Sequence, residues 1–512
     1  MNKKPATPRD ASAVILLNGT GDRVLWARRN PNLSFLGGWH AFPGGKLEAS
    51  DADAKIKNCQ DAELERFIVC AVREMFEEAG VLLVRNGEKL TRGQRASLHD
   101  DLISGRMTFG EILTHWNLWI DAEDFFYTGF WTTPNFSPVR FKTRFFLAVC
   151  PPKQTPFAAV SELENVEFIL PKQALERWKK SEVLISPPVL RSLKTLAAEV
   201  LDFKSQISNS VSDKLLENSQ RVDGVISYIE LNPRTICFPL KTETLPPATH
   251  TNCFIVGRKK FVVIDAASED EAEQNALHAI VDSFIERNYE CQAIITTHQH
   301  PDHFGGETVL QAHLFDKFNL HIPLAAHRAT SEKLQGKVEF QKLIEDGEAY
   351  DLEDGNGAKF TLQTLHTPGH ASGLLAFYDA EFGFLLSGDN VVNASSVVIA
   401  PPDGNLNDYL ESLERLRNLP NLKFLCGSHG SAVFDAKAKI ENYITHRLER
   451  EKQILAVLKN GAATVCEIVE AVYIDLKPEL VRLAEKSVEA HLEKLREESF
   501  SHEKKQNSTK VL

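Results

Sequence analysis

The 512-residue chain has no run of about 20 apolar residues, so nothing in it reads as a membrane-spanning helix. Its first residues, MNKKPATPRDASAVILL, hold too short an apolar stretch for a secretory signal, and the cytoplasm is the expected compartment. Cysteine is scarce: eight residues, dispersed and with no Cys-x-x-Cys pair, exclude a disulfide framework and read as core thiols of a reduced interior. An excess of positive charge is also missing, since 58 Lys and Arg face 70 Asp and Glu for a net charge of −12. That balance lacks the electrostatic footprint of a nucleic-acid binder. No internal repeat is present, and the length predicts roughly two to four domains.

What the chain does have is a crowd of metal-ligand side chains. In IITTHQHPDHFGG, His298, His300, Asp302 and His303 occupy six positions after an apolar, β-branched run and before a helical segment. The run reads as a buried strand, which puts the cluster at a strand end, where α/β folds place chemistry. Alternate side chains of an extended segment face the same way, so His298 and His300 can share one metal while Asp302 and His303 reach a second. Imidazole with carboxylate suits zinc, manganese or iron. Four ligands cannot close two shells and leave room for water, and downstream loops supply three more: His370 in HTPGHASG, Asp389 in FLLSGDN and His429 in FLCGSHG. Taken singly, each is unremarkable among 17 histidines and abundant acids; the ordered set carries the reading.

That ordered set resembles the metallo-β-lactamase superfamily over about residues 223 to 435. The resemblance implies an αββα sandwich in which His298, His300 and His370 hold one metal, Asp302, His303 and His429 the other, and Asp389 bridges. Such a pair makes water a nucleophile near neutral pH, so no protein nucleophile is required. Asp265, ending FVVID, resembles the family's early structural aspartate, and His366 in HTPGH reads as an orienting or core histidine rather than a ligand. Where many hydrolytic relatives read Pro-Gly-His-Gly, this chain has Gly427-Ser428-His429-Gly430, a change that bears on the loop's backbone freedom.

A second box lies near the start. Arg73-Glu-Met-Phe-Glu-Glu-Ala-Gly-Val81 follows AFPGG at 41–45, and on a helix Glu74, Glu77 and Glu78 share one face. Side-by-side carboxylates raise one another's pKa, an arrangement suited to magnesium or manganese. The box resembles that of Nudix hydrolases, with an insertion that puts nineteen residues rather than the usual five between Gly45 and Glu65, and with the usual seven between Glu65 and Arg73. With WTTPNFSPVRFKTRFFLA and ISPPVLRSL, the stretch from about 11 to 200 resembles the inserted, coenzyme A diphosphatase branch. That resemblance implies an α/β/α sandwich, with Glu77 and Glu78 among the catalytic residues and water attacking a diphosphate. Glu162, Glu164 and Glu167 are general-base candidates among which the sequence does not choose.

The expected layout is a Nudix domain over 11–203, a polar linker over 204–222, a metallo-β-lactamase-fold domain over 223–435, a helical winged-helix-like domain over 436–505 and a polar tail over 506–512. APPDGNLNDYLESLERL and AKIENYITHRLEREKQIL resemble the β-lactamase-like-protein-2 branch, whose relatives include single-stranded RNA endonucleases. A winged helix does not by itself imply nucleic acid, and the tail is weighted towards packing or forming one wall of the cleft. The expectation is a bifunctional hydrolase. Its Nudix domain would take magnesium or manganese and a nucleoside diphosphate or coenzyme A derivative. Its second domain would take two zinc ions, or manganese or iron, and cleave an ester, thioester or phosphodiester. The rival is a single-stranded RNA endonuclease whose Nudix domain senses a nucleotide.

Overall fold

The computed structural model describes residues 6–509, except 34, 55, 160, 200–208, 395 and 463. The chain divides into two compact units, Met1–Asn232 and Pro233–Leu512.

In the first unit the strand Arg9–Leu17 lies at the centre of a mixed sheet, parallel to Phe141–Val149 with Arg9 opposite Phe141 and Leu17 opposite Val149. Its side chains alternate between two cores, as a period of two requires. Val14 and Leu16 pack with Val72 and Phe76 of the helix Ala62–Ala79, while Ala13, Ile15 and Leu17 pack with Leu190 and Leu193 of the helix Pro187–Ala198. A strand with helices on both faces is apolar throughout, which is why AVILL appears unbroken. This is the expected α/β/α sandwich.

Of the expected linker, residues up to 208 lie outside the described residues. From Asn209 to Gln220 the chain is a helix whose Val211 and Leu215 are buried in the second of these cores. The polar composition there belongs to the outer face of a packed helix rather than to a free connection.

In the second unit, Thr235–Lys241, His250–Gly257 and Lys260–Ile264 run antiparallel, and Glu290–Ile295 joins the last of them in parallel. Ala349–Glu353, Lys359–His366, Leu375–Asp379 and Phe384–Gly388 form an antiparallel series, closed by the parallel strand Phe424–Gly427. Helices Glu271–Ile285 and Gly306–Phe318 pack on Glu290–Ile295. Leu406–Arg417 and the first half of Ala436–Lys459 cover the other half through Leu413, Leu416, Ile440 and Ile444.

The long helix Ala436–Lys459 belongs to two cores. Its Ile454 joins Ile468, Val469, Ala484 and Val488 of the two C-terminal helices, Val465–Val472 and Val481–Thr509. Among the described residues no strand follows Gly427, so the tail is helical. Its backbone stays helical to Thr509, past the expected domain end at 505. No helix among the described residues is long and apolar enough to cross a membrane.

Candidate active sites

In the second unit the candidate ligands gather where four strands end. His298, His300, Asp302 and His303 follow Glu290–Ile295, and His370 follows Lys359–His366. Asp389 follows Phe384–Gly388, and His429 follows Phe424–Gly427. Buried strands fix where each loop begins, and the loops aim the side chains. Ligand atoms of His298, His300 and His370 lie within 4.8 Å of one another, as do those of His298, His303 and Asp389, and those of Asp302, His303 and His429. Asp389 sits among them, with Oδ2 3.6 Å from His303 Nε2, 3.6 Å from His370 Nε2 and 3.5 Å from His429 Nε2.

The hydrogen bonds on the far sides of these rings decide which nitrogens are free. His370 Nδ1 lies 2.8 Å from the Val398 carbonyl and His429 Nδ1 2.9 Å from the His250 carbonyl, so both must donate outward. His303 Nδ1 donates to Asp265 Oδ2 at 2.9 Å. The Thr297 hydroxyl gives its proton to the same aspartate at 2.8 Å and therefore accepts from His298 Nδ1 at 3.0 Å. Each neutral ring then turns an unprotonated Nε2 inward. His300 Nδ1 stands 3.0 Å from His298 Nε2 and 2.8 Å from His370 Nε2, a meeting of lone pairs that a cation satisfies. His303 Nε2 and Asp389 Oδ1 are buried with no hydrogen-bond partner. The donor set fits divalent metal.

Electrostatics point the same way. Burial lowers His300 to about 4, with His370 and His303 adding to the effect. Burial opposes charge on His429 as well, yet Asp389 and Asp302 override it and raise that ring to about 10. The carboxylates thus favour positive charge in the cluster, a charge that a bound metal would supply on displacing protons.

Three supports lie outside the expected ligand set. Asp265 is held at φ 54°, a left-handed conformation rare for aspartate, and binds Thr297 through both backbone and side chain. Thr251 donates to the Asp302 carbonyl at 2.8 Å. Asn252 holds the carbonyls of Gly427 and Gly430 at 2.8 and 2.9 Å, clamping the loop that carries His429. Ser428 is buried at a negative φ, and the left-handed step falls on Gly430 at 89°, so serine costs that loop no backbone freedom it needs. His366 contacts the Ser372 carbonyl at 2.9 Å and stacks on His327, outside the ligand groups.

In the first unit the helix Ala62–Ala79 starts on Asp61, whose carboxylate accepts from the Glu63 and Leu64 N–H groups, and ends at Gly80 with φ 66°. Glu74, Glu77 and Glu78 share its inner face, but they do not converge as a group of three within 4.8 Å. Arg73 Nη1 donates to Glu74 at 2.9 Å and Glu77 at 3.0 Å, and Glu78 accepts from Gly44 N–H at 2.8 Å. The FPGG loop lies so close that a Cβ on Gly45 would stand 2.5 Å from the Glu74 carboxylate. Burial raises Glu78 to about 8, with Glu74 adding to it, and raises Glu74 to about 7 against the pull of Arg73. Carboxylates driven towards the neutral acid by dryness and like charge regain their charge when a divalent cation arrives.

Residues 246–429 match the metallo-beta-lactamase superfamily, 62–196 the NUDT19 Nudix domain and 464–499 the beta-lactamase associated winged helix domain. The chain joins a Nudix domain to a metallo-β-lactamase domain with its winged helix. It is a metal-dependent hydrolase. It is 29% identical over 237 residues to the beta-lactamase-like protein 2 homolog of Caenorhabditis elegans, covering 46% of this chain and 74% of that protein. It is 28% identical to an atrochrysone carboxyl ACP thioesterase of Aspergillus chevalieri, over 44% of this chain and 68% of the relative. A Nudix hydrolase structure from Alicyclobacillus acidocaldarius is 30% identical over 38% of this chain and 93% of its own, with a TM-score of 0.33.

Within the Nudix domain the structure separates residues that the sequence left equivalent. Arg73 is gripped by Asp51, at 2.7 Å to Nε and 3.1 Å to Nη2, and Asp51 lies inside the insertion. Glu65, at the box spacing, instead receives the Ile56 N–H at 3.4 Å. Among the general-base candidates, Glu164 pairs with Arg28 at 2.5 Å, and Glu167 binds Trp26 Nε1 and Arg177, each at 3.2 Å. Glu162 is exposed, and its charge helps raise Glu78.

Proposed function

We propose that the chain hydrolyses two different bonds of activated, coenzyme A-like substrates: a diphosphate in the Nudix domain and a thioester in the metallo-β-lactamase domain. For the second domain the observation that carries the reading is the meeting of inward-facing imidazole nitrogens around Asp389. His298, His300 and His370 would hold one zinc and Asp302, His303 and His429 the other, with Asp389 lying among both groups; manganese or iron would suit the same donors. Bound metal supplies a Lewis acid and a water of lowered pKa. Asp302 accepts a hydrogen bond from the attacking water and orients it towards the carbonyl carbon. His303 and His429 keep their place through Asp265 and the His250 carbonyl, so little reorganisation is needed as charge develops.

The thioester is favoured over other carbonyl and phosphoryl bonds by the resemblance to a carrier-protein thioesterase. In the Nudix domain Glu74, Glu77 and Glu78 would take magnesium or manganese, with Glu77 and Glu78 as the catalytic pair. Glu164 and Glu167, on the strand Leu163–Ile169, are engaged by Arg28 and by Trp26 and Arg177, which leaves the exposed Glu162 as the general-base candidate.

The test is a paired assay of the purified protein on acyl-coenzyme A, following free thiol and phosphoadenosine separately. Thiol lost in Asp389→Ala and phosphoadenosine lost in Glu77→Gln would support both assignments. If neither product forms and single-stranded RNA is cut instead, with loss in His303→Ala, the thioester reading fails and the nuclease reading replaces it.

A further inference from the structure

The long helix Ala436–Lys459 carries Lys439, Tyr443 and Arg447 at intervals of four, on one face. Each reaches the segment that leaves Asp389. Lys439 Nζ donates to Asn393 Oδ1 at 3.0 Å, and the Tyr443 hydroxyl donates to the Val392 carbonyl at 2.9 Å. Arg447, 4% exposed, donates through Nη2 to the Val397 carbonyl and lies over the Tyr409 ring. The segment in turn holds two candidate ligands of different groups. Asn393 N–H binds the His429 carbonyl at 2.9 Å, and the Val398 carbonyl binds His370 Nδ1 at 2.8 Å. Tyr409, donating to the Asn390 carbonyl at 2.7 Å, fixes the same segment nearer Asp389.

Resting on the metal-centre reading above, we propose that this helical face is a positioning ladder for the dinuclear site. Tyr443 and Lys439 set His429, and Arg447 sets His370. The ladder touches no reacting atom; it acts through the backbone of residues 392–393 and 397–398. Ile440 and Ile444, beside it on the helix, are buried in the metallo-β-lactamase core, and Ile454, farther along, is buried with the C-terminal helices. The tail is thereby part of the support of the metal centre, a role that needs no nucleic acid.

The experiment uses the full-length protein with Tyr443→Phe and Arg447→Met, singly and together. Zinc affinity is read by chelator competition, and the ligand field by the visible spectrum of the cobalt-loaded form. Removing outer partners of metal ligands typically weakens binding by about 10–100-fold. Tyr443 and Arg447 act one backbone step beyond such partners, so the lower end of that range, about tenfold, is expected in the double variant, with a smaller loss at one of two resolved binding steps in each single variant. An altered cobalt band and partial recovery in Arg447→Lys should accompany it. Wild-type affinity and an unchanged cobalt band in both variants, even with a lowered melting temperature, would overturn the proposal, because a purely structural role moves only the melting temperature. Tyr443→Phe removes a single hydroxyl and decides the matter if Arg447→Met does not fold. A wild-type protein that binds neither zinc nor cobalt overturns the metal-centre reading itself, which separates the two failures.

Discussion

In the metallo-β-lactamase domain three imidazole nitrogens meet, with His300 Nδ1 within hydrogen-bond distance of both His298 Nε2 and His370 Nε2. In the Nudix domain Glu74 and Glu77 both turn onto Arg73, and Glu78 turns onto the Gly44 N–H. The contrast follows from the charge of the ligands. Neutral imidazoles converge with little electrostatic cost, so carbonyl and carboxylate partners behind them can preorganise the site. Two carboxylates about 4 Å apart repel by about 4 kcal/mol at an effective dielectric of 20. A site built from them needs a positive charge inside it before metal arrives, and Arg73 is that charge. One site is assembled by its outer hydrogen bonds, the other is held by an internal counter-ion.

The largest effect is expected at the hub of the assembled site. Asp389→Ala removes the carboxylate that faces His303, His370 and His429. Metal content should fall from two to one or none, and thioester hydrolysis should drop by at least about 100-fold, the upper end for losing merely an outer partner. Nudix turnover in the same protein should stay within about twofold of wild type, because the two sites hold separate ligands. Full metal content in this variant would contradict the hub role.

Arg73→Gln probes the other half of the contrast. Arg73 and Asp51 are 5% and 1% exposed, and breaking a buried pair of this kind costs about 3–5 kcal/mol. Glu74 and Glu77 lose their counter-charge at the same time. The Nudix transition in a melting experiment should fall sharply without metal and recover in part with millimolar magnesium, which takes over the lost charge. Equal destabilisation with and without magnesium would remove the counter-ion argument.

These cases also mark what the amino-acid order reveals. The seven candidate ligand positions of the metallo-β-lactamase domain were legible because strand ends concentrate them in short signatures, and the order of those signatures along the chain, rather than any one of them, carries the reading. Asp51 was not readable, because it lies in an Ala- and Asp-rich insertion where neither spacing nor composition singles out one acid. Val211 and Leu215 were hidden in a polar stretch, since two buried side chains suffice to dock a short helix. The ladder on the long helix was invisible for a third reason: Lys439, Tyr443 and Arg447 bind backbone carbonyls and an amide, and such partners leave no trace in the sequence.

A finer separation concerns Asp51 and Glu65. Asp51→Asn keeps shape but weakens the grip on Arg73, and should lower Nudix kcat by about tenfold while leaving substrate KM nearly unchanged. Glu65→Gln alters one long contact to a partly buried backbone group and should stay within about 0.5 kcal/mol of wild-type stability. The reverse ranking would make Glu65, which keeps the box spacing to Arg73, the more important of the two acids.

An effect that vanishes at neutral pH tests whether carboxylate neighbours, rather than burial, set histidine charge. His40 in the Nudix domain is buried against Trp26, with ring centroids 4.1 Å apart, and burial together with Arg177 and Arg28 lowers it to about 3. His429 is also buried, but Asp389 and Asp302 raise it. The sign for His40 follows from linkage: between about pH 6.5 and pH 3 the unfolded chain binds a proton that the folded one refuses. Its contribution is therefore intact above pH 6.5 and is lost progressively as pH falls towards 3, by up to about 1.4 kcal/mol per pH unit. His40→Phe should flatten the acid limb of the Nudix unfolding transition by about that slope while leaving the metallo-β-lactamase transition unchanged. An acid limb as steep as wild type would mean that His40 takes its proton in the folded state, and that burial alone does not keep a histidine neutral there.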